Sequence, residues 1–299
     1  MNITVVGAGA VGRLWGSQLS RHHKIQFWTR QPVDNIRFSF NTLDGITHPL
    51  AFVANDAMQL ASSDLIIVTV KAFQVETALG QLKAKIPTST PVVIMHNGMG
   101  THKRVEALLP ENPIIYATTA QAAYRPDEDT LAHTGIGQTW LGGLNLRAKK
   151  LSDLAGHFEL ALAPTQWHPD IFQPLWTKLA INCAINPLTA IHQCRNGELA
   201  QAGYQTQLAT ICDEVAMVMS AEGYPTSGPL LKQQVDKVIL ATASNFSSMN
   251  QDVCQQRATE IDYITGYLVE RAKAHGIEVA ENLRLWQQIK QLEQQYHDR

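Results

Sequence analysis

Three polar residues stand at four-residue intervals in an otherwise apolar stretch: Lys178, Asn182 and Asn186, within FQPLWTKLAINCAINPLTAIHQCRNGEL at 172–199. On a helix they fall within about 80° of one another, as one stripe. Leu175, Trp176, Leu179, Ala180, Ile181, Cys183, Ala184 and Ile185 cover the remaining surface, so the helix is expected to be largely buried. One ammonium and two amides in that setting need partners, because an unpaired buried amide costs roughly 1 to 3 kcal/mol. Either other side chains satisfy the stripe, or it lines a cleft where a ligand does. An ammonium desolvated by apolar neighbours titrates below its solution value and suits proton donation. The stripe ends at Asn186-Pro187, where proline is expected to bend or stop the helix. Asn196-Gly197 then marks a turn.

A second kind of chemistry is written at the start of the chain. Gly7-Ala8-Gly9-Ala10-Val11-Gly12 follows the apolar run 2–6 and precedes the helix-like RLWGSQLS. Strand, glycine turn and helix in that order give G-x-G-x-x-G its meaning: a tight turn, close approach to a pyrophosphate, and helix packing on the strand. Free N–H groups at the helix start favour the anion. The next strand, 24–29, ends in Arg30, where NAD-preferring chains carry an acid for the ribose hydroxyls. A guanidinium there suits a 2′-phosphate through bidentate, charge-assisted bonds, so NADP is expected over NAD. Lys71 and Asn97 each follow a buried apolar run, 65–70 and 91–95, at the carboxyl ends where ligands bind in open α/β sheets.

A third cluster, Asn245-Phe246-Ser247-Ser248-Met249, precedes a long helical periodicity over 248–275. Ser248 with Gln251 makes a capping-box pattern, and a helix N-terminus also suits a substrate carboxylate. Glu260 falls inside that periodicity, one turn beyond Arg257, where a surface ion pair would be worth a few tenths of a kcal/mol.

These residues need two different scaffolds. The first half alternates strands and helices, with a hairpin over 35–54 around Asp44-Gly45 and additional edge strands in ATTAQAAYR and TLAHTGIGQTWLGG. A helical patch at 149–162 and the cluster Pro164, Pro169 and Pro174 mark a boundary near residue 168. After it, helical periodicities at 205–221, 228–243, 248–275 and 281–295 carry no strand signal. The expected fold is α/β: a Rossmann-type doubly wound sheet over 1–167 and an all-helical domain over 168–299, with the active site in the cleft they form.

Length and composition agree with a two-domain globular chain: 299 residues with a formal net charge of −2. That balance gives no footprint for nucleic acid or an anionic membrane. No apolar run approaches the roughly 18 residues of a membrane span, and the start lacks a signal-peptide pattern. A cytoplasmic protein acting on a small molecule is the default. Cys183, Cys194, Cys212 and Cys254 lie far apart, without metal-ligand spacing, and read as reduced structural thiols; no metal is expected.

The ordered set G-x-G-x-x-G, H-N-G-M-G (96–100), WTKLAINCAINPLTAIHQCRNGEL, S-S-M (247–249) and T-E-I-D (259–262) resembles the ketopantoate reductases (2-dehydropantoate 2-reductases) across both halves. The resemblance implies NADPH-dependent reduction of 2-dehydropantoate to (R)-pantoate, in pantothenate biosynthesis on the route to coenzyme A. It implies that Lys178 is the catalytic acid and Glu260 the active-site glutamate, bonded to substrate or cofactor. Lys71, Asn97 and Ala123 would meet the cofactor, Asn97 also the substrate. Asn182, Asn186, Asn196, Asn245, Ser247 and Ser248 would hold substrate hydroxyl and carboxylate groups. Two other readings stay open: another NADP-dependent 2-keto or 2-hydroxy acid oxidoreductase of the same plan, and a non-catalytic NADP sensor, which has no need of the Lys178 stripe. The oligomeric state is open too, a homodimer included.

Overall fold

A computed structural model describes residues 1–296. They form two compact units, one of residues 1–96 and 101–171, the other of residues 97–100 together with the chain from Phe172 onward.

The first unit is built on an eleven-stranded sheet. In chain order it comprises β1 (Asn2–Val6), α1 (Ala10–Leu19), β2 (Lys24–Trp28), the hairpin β3 (Asn35–Asn41) and β4 (Thr47–Ala54), α2 (Ala57–Ala61), β5 (Leu65–Val68), α3 (Val75–Leu82), β6 (Val92–Ile94), α4 (His102–Leu108), β7 (Ile114–Thr119), β8 (Ala122–Tyr124), β9 (Thr130–Gly135), β10 (Thr139–Gly143), α5 (Leu154–Ala161) and β11 (Thr165–Trp167). The order across the sheet is β11-β10-β7-β6-β5-β1-β2-β4-β3-β9-β8. Its centre, β7-β6-β5-β1-β2, is parallel. Strands covered on both faces read as unbroken apolar runs, and Leu65, Ile66, Ile67 and Val68 of β5 are all fully buried. At about 2 kcal/mol for each large aliphatic side chain, these runs hold the sheet's middle together. The chain leaves β1 toward β2 on one side and returns to β5 on the other, so the order reverses at the β1/β5 step, the point where such sheets take ligands. Of the additional strands, β8 and β9 do form one edge, whereas β10 lies inside the sheet, paired to β7 and β11.

The second unit contains α6 (Phe172–His192), α7 (Ala202–Ala221), α8 (Gly228–Ala241), α9 (Ser248–Cys254), α10 (Thr265–His275) and α11 (Ala280–Gln294). The structure departs from expectation in two places. First, of the bend or stop expected at Pro187, the stop does not occur: α6 continues to His192. A proline inside a helix forfeits one hydrogen bond and costs about 3 kcal/mol. Ile185, Leu188 and Ala190 are buried on either side of it, and the Thr189 hydroxyl bonds back to Ile185 O at 2.8 Å, so packing outweighs the local penalty.

Second, the periodicity over 248–275 is not one helix. Gln256 adopts φ +52°, its N–H bonds Val253 O at 3.0 Å, and the Arg257 N–H bonds Asp252 O at 2.8 Å. That is a Schellman closure made with glutamine in place of the usual glycine. Helix α9 therefore ends at Cys254, and Glu260 lies in the connection to α10 rather than inside a helix.

Helix α11 has no cap from its own sequence; a carboxylate from α7 caps it instead. Glu214 is buried and accepts the Glu281 N–H (2.8 Å), the Asn282 N–H (2.9 Å) and Asn282 Nδ2–H (2.7 Å). Glu214→Ala leaves these donors without an acceptor and is expected to cost about 3 kcal/mol. A urea-denaturation midpoint equal to that of the parent would contradict this capping role. Among the described residues, no helix is long and apolar enough to cross a membrane, and the four cysteines are free thiols, only Cys254 being exposed.

Candidate active site

The glycine turn after β1 has the shape of an anion cradle. Gly7 donates its N–H to Trp28 O at 2.9 Å, the last bond of the β1–β2 pairing, and turns the chain there with φ +104°. A Cβ on Gly12 would stand 2.2 Å from Gly7 O and 2.5 Å from Thr69 Oγ1, so only glycine lets α1 approach β1 and the end of β5. A Cβ on Gly9 would meet nothing within 4 Å. Gly9 caps α1 without any side-chain bond, so that the N-terminus of α1 opens onto free space. Ala8, Ala10 and Val11 remain partly exposed around it. This geometry fits a pyrophosphate.

Other cofactor candidates sit on the same unit. Arg30 stands exposed two residues beyond β2. Lys71 follows β5 at the order reversal, with its ammonium 6.0 Å from the Phe73 ring centre. Ala123, on β8, packs against the core of the sheet.

Sequence reasoning missed Arg13. Its guanidinium is buried, donates from Nε to Ala8 O at 3.0 Å and from Nη1 to Glu128 O at 2.8 Å, and lies over the Phe38 ring. Burial lowers its pKa to about 10, so it stays charged at neutral pH. The available signal was a cation in the first turn of a helix, where the dipole disfavours one.

In the helical unit the structure brings Lys178, Glu260 and Asn97 together. Burial lowers the Lys178 pKa to about 8, while the Glu260 charge acts to raise it. Glu260 is buried and does not pair with Arg257, whose guanidinium takes Asp252 at 3.0 Å instead. One Glu260 oxygen accepts from Asn97 Nδ2 at 3.1 Å. The loop carrying Asn97 is fastened to the same segment: the Met99 N–H donates to Tyr263 O at 2.7 Å, and Gly98, at φ +82°, passes so close that a Cβ would lie 2.2 Å from Tyr263 O. One turn and two turns along α6 from Lys178, Asn182 is partly exposed and Asn186 buried. Among the described residues neither amide has a hydrogen-bond partner from the protein. An ammonium of pKa about 8 is mostly protonated at neutral pH yet gives up its proton readily, as a general acid must.

Of the remaining candidates, Asn196 and Asn245 are joined directly, and Ser247 is tied to α6. Asn196 is buried, its N–H bonds Asn245 O at 2.9 Å, and its Nδ2 bonds Thr242 Oγ1 at 2.9 Å; Oδ1 is buried with no partner among the described residues. The cap of α9 is Ser247, not Ser248. Ser247 Oγ accepts the Asn250 N–H at 3.0 Å and shares a 2.8 Å hydrogen bond with the Thr189 hydroxyl of α6. Ser248 is the first residue of the helix and is exposed, and Asn245 is half-buried. The expected Ser248/Gln251 capping box does not form: Ser247 caps the helix by itself, and Asn250 Nδ2 bonds Thr189 O at 2.7 Å rather than returning to the cap.

Comparison with known proteins follows the two halves. Residues 3–145 match the family model described as ketopantoate reductase PanE/ApbA, and residues 170–293 match that described as its C-terminal part. The chain is 43% identical to the 2-dehydropantoate 2-reductase of Vibrio cholerae serotype O1 over 297 residues, 99% of each chain. It is 42% identical to that of Escherichia coli O157:H7, over 99% of this chain and 96% of the relative. Among solved structures, D-mandelate dehydrogenase with NADH and anilino(oxo)acetate superposes with a TM-score of 0.91 at 23% identity, covering 99% of this chain and 100% of the other. That last likeness speaks for the fold, whereas the matches over both halves and the full-length identities above 40% reach further, and the chain belongs to the ketopantoate reductase family.

Proposed function

We propose that this protein reduces 2-dehydropantoate to (R)-pantoate with NADPH, a step of pantothenate biosynthesis. The observation that carries the reading is the Lys178 ammonium, held at a pKa of about 8 near Glu260, in a chain 43% identical to a 2-dehydropantoate 2-reductase over its whole length. NADPH, when bound, supplies the hydride that reduces the C2 ketone. The protein's part is to bind, orient and protonate. Gly7 to Gly12 would hold the pyrophosphate, Arg30 the 2′-phosphate, and Lys71, Asn97 and Ala123 the rest of the cofactor. Reduction leaves negative charge on the C2 oxygen, and Lys178 donates the proton that neutralises it, then recovers one from water. Glu260 keeps Lys178 charged until that moment. The amides of Asn182 and Asn186, having no partner among the described residues, are suited to the substrate's hydroxyl and carboxylate groups. Asn196, with an orphaned buried acceptor, fits a hydroxyl donor, and Asn245, Ser247 and Ser248 would complete the binding surface.

In this reading residues 1–167 serve the cofactor and residues 168–299 the substrate. The protein works in the cytoplasm on a small molecule, without nucleic acid. Incubation with NADPH and 2-dehydropantoate should yield pantoate of R configuration; absence of that product would end the proposal. Arg30→Asp should weaken NADPH far more than NADH, because it removes a phosphate partner and adds like-charge repulsion. Equal weakening of both would show that Arg30 does not read the 2′-phosphate.

A further inference from the structure

Arg30 can select a phosphate only if the loop that carries it is held still, and the structure shows what holds it. The chain at 29–33 leaves β2 through Thr29, Arg30, Gln31, Pro32 and Val33, all but Thr29 exposed. Asn55, just past the end of β4, reaches over this segment from the other side. Its Oδ1 accepts the Thr29 N–H at 2.9 Å, and its Nδ2 lies 3.0 Å from Thr29 Oγ1, 3.1 Å from Gln31 O and 3.1 Å from Val33 O. Its own N–H is fixed to Phe27 O at 2.9 Å, and this reach requires a left-handed backbone at φ +56°. Asparagine tolerates that conformation better than most residues. Arg30 is bracketed by these bonds on both sides, yet among the described residues its guanidinium has no hydrogen bond or ion pair. The backbone is anchored and the charged end is left open.

We propose that Asn55 is a positioning residue that sets coenzyme choice: by fixing the 29–33 loop it pre-orients Arg30 for a 2′-phosphate, and so strengthens the preference for NADPH over NADH. The inference rests on Arg30 reading that phosphate, as proposed for the cofactor. Pre-organisation adds affinity by removing the cost of ordering a mobile cation at the moment of binding. Asn55 touches no phosphate itself, and its effect passes through Arg30.

The test is a double-mutant cycle read as dissociation constants for NADPH and NADH by titration calorimetry. Asn55→Gly removes the four side-chain contacts while keeping the left-handed backbone free of strain. It should reduce the NADPH-over-NADH preference by about tenfold, with the NADH constant nearly unchanged. In an Arg30→Ala background the same substitution should change the preference no further. A purely structural role predicts instead that Asn55→Gly weakens both coenzymes equally, and that result would overturn the proposal; so would an undiminished, additive loss in the Arg30→Ala background. A parent protein with no preference for NADPH would remove the reading of Arg30 itself, an outcome separate from a parent with strong preference that Asn55→Gly leaves intact.

Discussion

Lys178→Ala should lower kcat by about 10² to 10⁴, the range for a positioned general acid, while the dissociation constant for NADPH stays near that of the parent. In the parent, turnover should fall as pH rises through about 8, where Lys178 loses the proton it must donate. The direction of each influence gives a sharper form. Burial lowers this pKa and the Glu260 charge raises it. Glu260→Gln removes the raising influence, so the alkaline fall in kcat should move to lower pH. A structural lysine predicts otherwise: a lower melting temperature with kcat per folded molecule nearly unchanged and the alkaline limb in place. Turnover, melting and NADPH affinity measured on one preparation of each variant separate the two.

Gly98→Ala should be the most damaging single methyl group in the helical unit. Two effects add: a left-handed backbone that disfavours any side chain by about 1 to 2 kcal/mol, and a Cβ placed 2.2 Å from Tyr263 O, whose relief by backbone shifts costs about 1 to 3 kcal/mol more. The loop can escape by lifting away, but that breaks the bond from Asn97 to Glu260 and misplaces both side chains. A displacement near 1 Å is enough to lose about 10² in kcat/KM. Gly45→Ala is the internal control, since Gly45 has a similar φ of +81° but open space around it. It should cost stability through the backbone alone and leave turnover intact. Similar turnover in the two variants would show that the fit against Tyr263 does not position the site.

Much of this arrangement is legible in the amino-acid sequence, and the reasons differ by element. The parallel strands announce themselves because burial on both faces demands unbroken apolar runs such as LIIV at 65–68. The glycine turn is readable because its spacing answers to one geometry. The stripe of Lys178, Asn182 and Asn186 is visible as an exception to the apolar pattern of α6. What stays hidden depends on contacts distant in sequence or on residues adopting conformations foreign to their type. The break after α9 is made by Gln256 and not by glycine, so periodicity runs through it and places Glu260 inside a helix. The persistence of α6 past Pro187 is decided by buried neighbours that no local rule weighs. The bond between Asn97 and Glu260 spans 163 positions, and nothing in either local sequence indicates the other. Arg13 and Asn55 escape notice because their work consists largely of hydrogen bonds to backbone groups, which leave no motif.

The central claim is that this site is built for 2-dehydropantoate and not for 2-keto acids in general, a distinction the shared fold with D-mandelate dehydrogenase does not make. The direct test is NADPH consumption measured side by side on 2-dehydropantoate and on 2-keto acids that lack its hydroxymethyl group. Polar groups left without partners among the described residues, as at Asn182 and Asn186, reject a substrate that cannot satisfy them by as much as about 10⁴. The account predicts kcat/KM for 2-dehydropantoate higher by about that factor. Comparable values for unbranched 2-keto acids would contradict it.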